Sequence, residues 1–212
     1  MAENIVELLT DVADAIREKK GTQDKINAQS FADEIRNLPS GASGDIVMKL
    51  NNATYNKANV ESITLFDSVT QIANDAFADF SAMKSFAITN NVTTIGRGAF
   101  WGCASLLEFI IPTLLTDLYN NVFNGCASLV QIEIPQGVNT IGQGVFKNCT
   151  SLEKVIVLGT QVKTLYGVDS FQNNASNRFI YVLDNLVESY KSATNWATYA
   201  DQIKGLSELP NE

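Results

Sequence analysis

Cys103, Cys126 and Cys149 recur at an interval of 23 residues and are the first candidates for chemistry. A set of thiols can hold a soft metal or cycle through disulfides, but either role needs reactive thiolates or suitable co-ligands. The chain has no histidine. That removes Ser–His–Asp and Cys–His nucleophile activation together with every His-ligated metal site. Three is an odd number for pairing, so interior thiols acting as small hydrophobes are the favoured reading. A bridge between neighbouring coils, about 4.8 Å apart, stays sterically open. Glu133 and Glu153 fall at strand positions with nothing to pair them for glycoside hydrolysis. Gly96-Arg97-Gly98 lacks the further glycines and the lysine of a phosphate loop, and it recurs as Gly142-Gln143-Gly144. Trp196 and Tyr199 offer either a carbohydrate platform or an apolar plug. No constellation for catalysis emerges, and no cofactor or metal is implied.

The elements that position these residues form a repeat. Phe77, Phe100, Phe123 and Phe146 share the interval of the cysteines. So do Met83, Leu106, Leu129 and Leu152, and so do Ile72, Ile95, Leu118 and Ile141. A unit of 23 residues has too little apolar surface to fold alone, so successive units must stack and share a core. Leu129, Ile132 and Ile134 turn inward from a short strand, and Pro135 ends it without needing a ladder donor. Gly142 and Gly144 permit the bend that follows. Phe146 and Cys149 then fit one helical or 3₁₀ turn.

The pattern is carried by Val92-Thr93-Thr94-Ile95-Gly96-Arg97-Gly98-Ala99-Phe100 with Cys103 and Leu106. It returns as Val138-Asn139-Thr140-Ile141-Gly142-Gln143-Gly144-Val145-Phe146 with Cys149 and Leu152. It resembles the BspA-type (treponemal) leucine-rich repeat over residues 69–171. The resemblance implies a stacked-repeat solenoid.

The flanks are of a different kind. Ile5, Leu9, Val12 and Ile16 recur at helical spacing, Gly21 stops that helix, and Asn27 caps a second one carrying Phe31 and Ile35. Residues 39–44, Pro39 to Gly44, read as a linker. So small a helical pair must dock or oligomerise to bury its apolar side. Leu9 to Thr22 followed by Asp24-Lys25-Ile26 is similar to the opening of tail and other structural proteins of phages, with Lys20 as a departure. That resemblance implies a virion-attachment module. Met1 to Glu7 opens acidic, without the basic and apolar blocks of a secretory signal.

The expected fold is α+β: a short leucine-rich-repeat solenoid with period 23, preceded by a helical hairpin and closed by a C-terminal capping helix. The expected divisions are an attachment segment 1–38, a linker 39–44, a β cap 45–68, the solenoid 69–178, and a closing strand and helix 179–212. Asn185 with Glu188 forms the expected capping box, and Trp196, Tyr199 and Ile203 the plug.

With no chemistry in view, function falls to the surface. Outward strand positions form a ladder of Leu107, Glu108 and Ile110, then Val130, Gln131 and Glu133, then Lys154 and Ile156, with Trp101 as a separate exposed anchor. The formal charge of −8 and the lack of a basic run argue against nucleic acid and anionic membranes. The resulting expectation is a phage virion structural protein, assembled in the host cytoplasm. Its partners would be other virion proteins, itself as a homo-oligomer such as a trimer, or a host-surface glycan or protein. The alternative is a bacterial surface adhesin built from the same repeats.

Overall fold

The computed structural model describes residues 47–48, 60–65 and 69–210. The chain divides into two units, residues 1–43 with 52–55, and residues 44–51 with 56–212. The described residues all belong to the second. The helical hairpin expected at 1–38, with Ile5, Leu9, Val12, Ile16, Phe31 and Ile35, lies outside them, as does the linker 39–44.

Twelve strands occur among the described residues: β1 (Val47–Met48), β2 (Ser62–Thr64), β3 (Gln71–Ile72), β4 (Ser85–Ala87), β5 (Thr94–Ile95), β6 (Asp117–Leu118), β7 (Gln131–Ile134), β8 (Thr140–Ile141), β9 (Lys154–Val157), β10 (Thr164–Leu165), β11 (Phe179–Val182) and β12 (Ile203–Gly205). They form parallel ladders in the orders β1-β3-β5, β6-β8-β10, β2-β4 and β7-β9-β11-β12. Gln71 faces Thr94, Asp117 faces Thr140, Ser62 faces Ser85 and Gln131 faces Lys154. Within each ladder a strand therefore pairs with its counterpart in the neighbouring coil. Parallel pairing is the only option when every coil turns in the same direction.

The strands are short because glycine forces the chain to turn. Gly142 donates its amide to Leu118 O at 2.8 Å. A Cβ there would lie 2.6 Å from Asn120 Oδ1 and 2.9 Å from Leu118 O. Only a residue without a side chain lets one coil come this close to the last.

Aromatic rings stack from coil to coil through the interior. Phe77 and Phe100 have centroids 5.4 Å apart, and Phe100–Phe123, Phe123–Phe146 and Phe146–Phe171 are each 5.6 Å apart, all with interplanar angles of 15° or less. Burying each ring contributes roughly 1.5–3 kcal/mol, and such pairs add about 0.5–1.5 kcal/mol. Beside this column, Cys103, Cys126 and Cys149 are fully buried thiols. Their Sγ atoms donate to the carbonyls of Phe77, Phe100 and Phe123 at 3.2, 3.3 and 3.1 Å. One contact thus repeats in three coils, with each sulfur bound to backbone rather than to another sulfur.

After Gly159 the period lengthens, and Phe179 of β11 faces Lys154. A 3₁₀ turn Asp184–Leu186 leads into α1 (Val187–Ser192) and then a 3₁₀ helix, Trp196–Gln202. The N-cap of α1 is Leu186, and no side chain caps it. This corrects the expected Asn185–Glu188 box: the preceding 3₁₀ turn carries Asn185 inside a helical segment, where its side chain cannot serve as a cap. Trp196 is buried with its ring 5.9 Å from Phe171, and Tyr199 meets Phe171 edge-on at 5.3 Å. Both rings are covered, so neither forms an exposed carbohydrate platform.

Candidate functional site: the exposed strand face

Alternation along the longer strands sets the outward face. In β7, Ile132 and Ile134 are buried while Gln131 and Glu133 point out. In β9, Val155 and Val157 are buried while Lys154 and Ile156 are half-exposed. Pairing places Gln131 beside Lys154 and Glu133 beside Ile156. The next pairing continues these rows to half-exposed Phe179 and to Tyr181, which is buried and ends the exposed face there. Lys204 on β12 lies with its Nζ 3.7 Å from the centre of the Phe179 ring, a cation–π contact that holds the far edge of the face. Neither Phe179 nor Lys204 stood out in the sequence, because they lie beyond the regular repeat.

The third coil departs from expectation. Leu107, Glu108 and Ile110 were assigned to a strand, yet among the described residues no strand forms between β5 and β6. The amide of Leu107 donates to Lys84 O at 3.1 Å, and the ladder lapses from Glu108 to Ile111. Within this stretch Phe109 stands at the position of Phe86 in the preceding coil and of Ile132 and Val155 in later coils. Its ring sits edge-on to both Phe100 and Phe123, at 4.8 Å from each. Phe86, one repeat earlier, makes the same edge-on contacts to Phe77 and Phe100 at 4.7 Å from within β4, so an inward phenylalanine is compatible with the ladder; β4 and β7 nonetheless belong to different sheets.

Outward positions here carry apolar side chains in water. Ile110 is 76% exposed, Leu107 55% and Val130 46%. Glu108 and Glu133 are exposed near them, and Lys154 follows on the next coil. Trp101 is 51% exposed but lies on a different leg of the coil, in the turn where its amide donates to Gly98 O at 2.9 Å. The structure therefore groups Leu107, Glu108, Ile110, Val130, Gln131, Glu133, Lys154 and Ile156 on the strand leg and sets Trp101 apart. Leu114, Tyr119, Tyr166 and Val168 are also exposed and lie outside both groups.

The thiol column has no chemical handle. Burial pushes the Cys149 thiol up to about 12. Burial, and then the neighbouring Cys149 and Cys103 thiols, push Cys126 well above its ordinary value. Thiols of that acidity are poor nucleophiles and poor metal ligands near neutral pH. Among the described residues no cluster of three or more Cys, Asp or Glu is placed to hold a metal ion. No described helix is long and apolar enough to cross a membrane.

Comparison with known proteins agrees with this geometry. No curated protein matches the chain. Residues 48–178 match the model for the BspA type leucine rich repeat region, in six copies. A leucine-rich repeat protein of T. pallidum is similar in structure, with 28% identity and a TM-score of 0.52 over 57% of each chain. The pneumococcal vaccine antigen PcpA is similar at 18% identity and a TM-score of 0.51, over 69% of this chain and 40% of that one. A leucine rich cell surface protein of Faecalibacterium prausnitzii matches at 24% identity and a TM-score of 0.45, over 70% of this chain and 40% of the other. The chain thus spans about half the length of these proteins or less. None of these matches bears on the phage-like opening at residues 9–26. With a matched family model over more than half its length and parallel coils stacked on a phenylalanine column, the chain belongs to the BspA type leucine-rich repeat family.

Proposed function

We propose that the chain is a protein-binding module of a bacterial surface protein, using the strand face around Leu107, Ile110 and Val130. The observation that supports this most directly is the exposure of three large apolar side chains on this face, Leu107 and Val130 at equivalent positions of adjacent coils and Ile110 beside them. Water penalises such a patch, and a partner's apolar side chains would remove it from water. Glu108 and Glu133 at its margin favour a partner with basic side chains there. The family supports binding over catalysis, and the 28% identical T. pallidum structure supports a bacterial rather than a viral setting.

The binding test uses immobilised extracellular proteins and surface plasmon resonance. Ile110→Asp and Leu107→Asp should each weaken binding by at least about tenfold, the scale of losing one interface anchor. Trp101→Ala, on the other leg, should change it less than about threefold. If both aspartate variants bind like the parent, the strand face is not the site. Labelling of intact cells by a membrane-impermeant reagent tests placement, and a wholly protected chain would refute it.

A second reading, virion attachment, rests on the resemblance of residues 9–26 alone. In that case the helical segment would dock on virion proteins or self-associate, and removing residues 1–40 would abolish oligomers seen by light scattering. The closing role of α1 and the following 3₁₀ helix belongs to either reading: we infer that Trp196 and Tyr199 shield the last phenylalanine of the column from water.

A further inference from the structure

A groove of about 340 Å³ opens where two successive coils meet, lined by Gln136, Asn139, Thr160, Gln161, Val162, Lys163 and Thr164. Most of these side chains are amides or hydroxyls. The exceptions are the apolar Val162 and the cation Lys163, a residue only 5% exposed. Its Nζ donates to Gln136 O at 2.8 Å. An ammonium has three protons to donate, and among the described residues no carboxylate pairs with this one. This ammonium is part-buried at the groove and holds one neutral acceptor, so an anion entering there would gain a charge-assisted hydrogen bond. Burial accordingly lowers the pKa of this amine.

The position of Lys163 is firmly set. Its backbone amide donates to Tyr190 Oη at 3.1 Å, and its carbonyl accepts from Trp196 Nε1 at 2.7 Å. Tyr190 Oη in turn donates to Gln161 O at 3.3 Å. The C-terminal aromatics therefore fix the strand start that carries the ammonium, and ligand binding would not have to order it.

We propose that this groove binds a small carboxylate-bearing, hydroxyl-rich ligand of the uronic acid class, with Lys163 Nζ on the carboxylate. The amides of Gln136, Asn139 and Gln161 and the hydroxyls of Thr160 and Thr164 can both donate and accept, as ring hydroxyls require. One cation matches one carboxylate. A phosphate monoester, with a charge near −1.5 to −2, would be left under-neutralised. The volume is at the small end for ligand sites, suited to one sugar ring rather than an oligomer. The groove shares no residue with the strand face at Leu107 and Ile110, so either assignment can fail without the other.

The test is titration of the full chain with galacturonate, galactose and inorganic phosphate, followed by calorimetry and amide NMR shifts. Galacturonate should bind and shift resonances of residues 136–139 and 160–164, with galactose at least about tenfold weaker. Lys163→Met should lose binding by about tenfold or more. Because Lys163 is buried, an Asn139→Ala/Gln161→Ala double variant on exposed side chains serves as the second arm. It should keep the parent's thermal midpoint and bind galacturonate several-fold more weakly. Equal affinity for galactose, tighter binding of phosphate or of a short peptide with a free C-terminus, no galacturonate-induced shifts, or unchanged binding by the double variant would each overturn the proposal.

Discussion

Phe123 shows what a single residue does in this fold. Its ring stacks on Phe100 and Phe146 and meets Phe109 edge-on, with no exposure. Phe123→Ala should cost about 3–5 kcal/mol, read from urea unfolding. Trp101→Ala, in contrast, should stay within about 0.5 kcal/mol because the ring is half in water. A loss at Trp101 equal to that at Phe123 would contradict the burial described. The thiols give a pH prediction. Cys126, Cys149, Tyr190 and Tyr199 all have raised pKa values, with burial as the leading cause in each. A group that is neutral when protonated and has a raised folded value favours the folded state below its unfolded pKa, and that advantage is lost as pH climbs through the folded one. Their contribution to stability should therefore be flat up to about pH 8.5 and decline above it, as unfolded thiols and then phenols ionise. Alkylation near pH 8 should leave all three cysteines unmodified until denaturant is added. Rapid native labelling would contradict their burial. The cysteine column was legible in the sequence because its spacing equals that of the phenylalanines. The Sγ-to-carbonyl contacts were not, since spacing says nothing about which acceptor a buried sulfur meets.

At the scale of elements, the bends and the C-terminal segment decide most. Gly142→Ala would place a Cβ within van der Waals overlap of Asn120 and Leu118 backbone. Overpacking of this kind costs about 1–3 kcal/mol. The same substitution at exposed Gly137 meets Thr113 O at 2.7 Å, so tolerance there would show that the turn after β7 yields more easily than the one after β8. Arg178 ties the last coil to the 3₁₀ helix Trp196–Gln202. Its Nη1 donates to Phe171 O at 2.8 Å and its Nη2 to Gln202 Oε1 at 3.2 Å. The guanidinium also lies 5.2 Å from the centre of the Tyr199 ring. Trp196→Ala should accordingly reduce hydrogen-exchange protection most in residues 160–182 and least near Phe77, because stacked coils couple chiefly to their neighbours. Uniform loss along the chain would point instead to a single cooperative unit. Outward positions in β7 and β9 could be assigned from alternation alone. The lapse at Glu108–Ile111 could not, because this coil carries the same repeat pattern as the coils whose strands pair.

For the whole molecule, stability should depend little on salt. Of the described ion pairs, Lys84–Glu61 and Lys191–Glu188 are at the surface and Lys147–Asp169 is half-buried; exposed pairs contribute little for salt to remove, and the core is apolar. Raising sodium chloride from physiological levels to about 1 M should move the thermal midpoint only slightly. A large shift would place weight on charges that the structure leaves in solvent. Association with a basic partner at the strand face should weaken under the same change, because Glu108 and Glu133 lie at its margin. The charge of −8 also works against close self-packing of identical faces.

The stacked coils, their interior columns and the absence of histidine chemistry were determined by the sequence alone. Each coil's core is made of residues at one fixed interval, and a repeated interval can be read without coordinates. Three features were decided only in the tertiary structure: the broken ladder at the third coil, the burial of Trp196 and Tyr199, and the groove around Lys163. Each arises where residues from different coils, or from outside the repeat, meet in space, as Lys163 does with Gln136 across 27 positions and Trp196 with Lys163 across 33. Periodicity carries no information about such meetings, because they depend on which side chains compete for the same space.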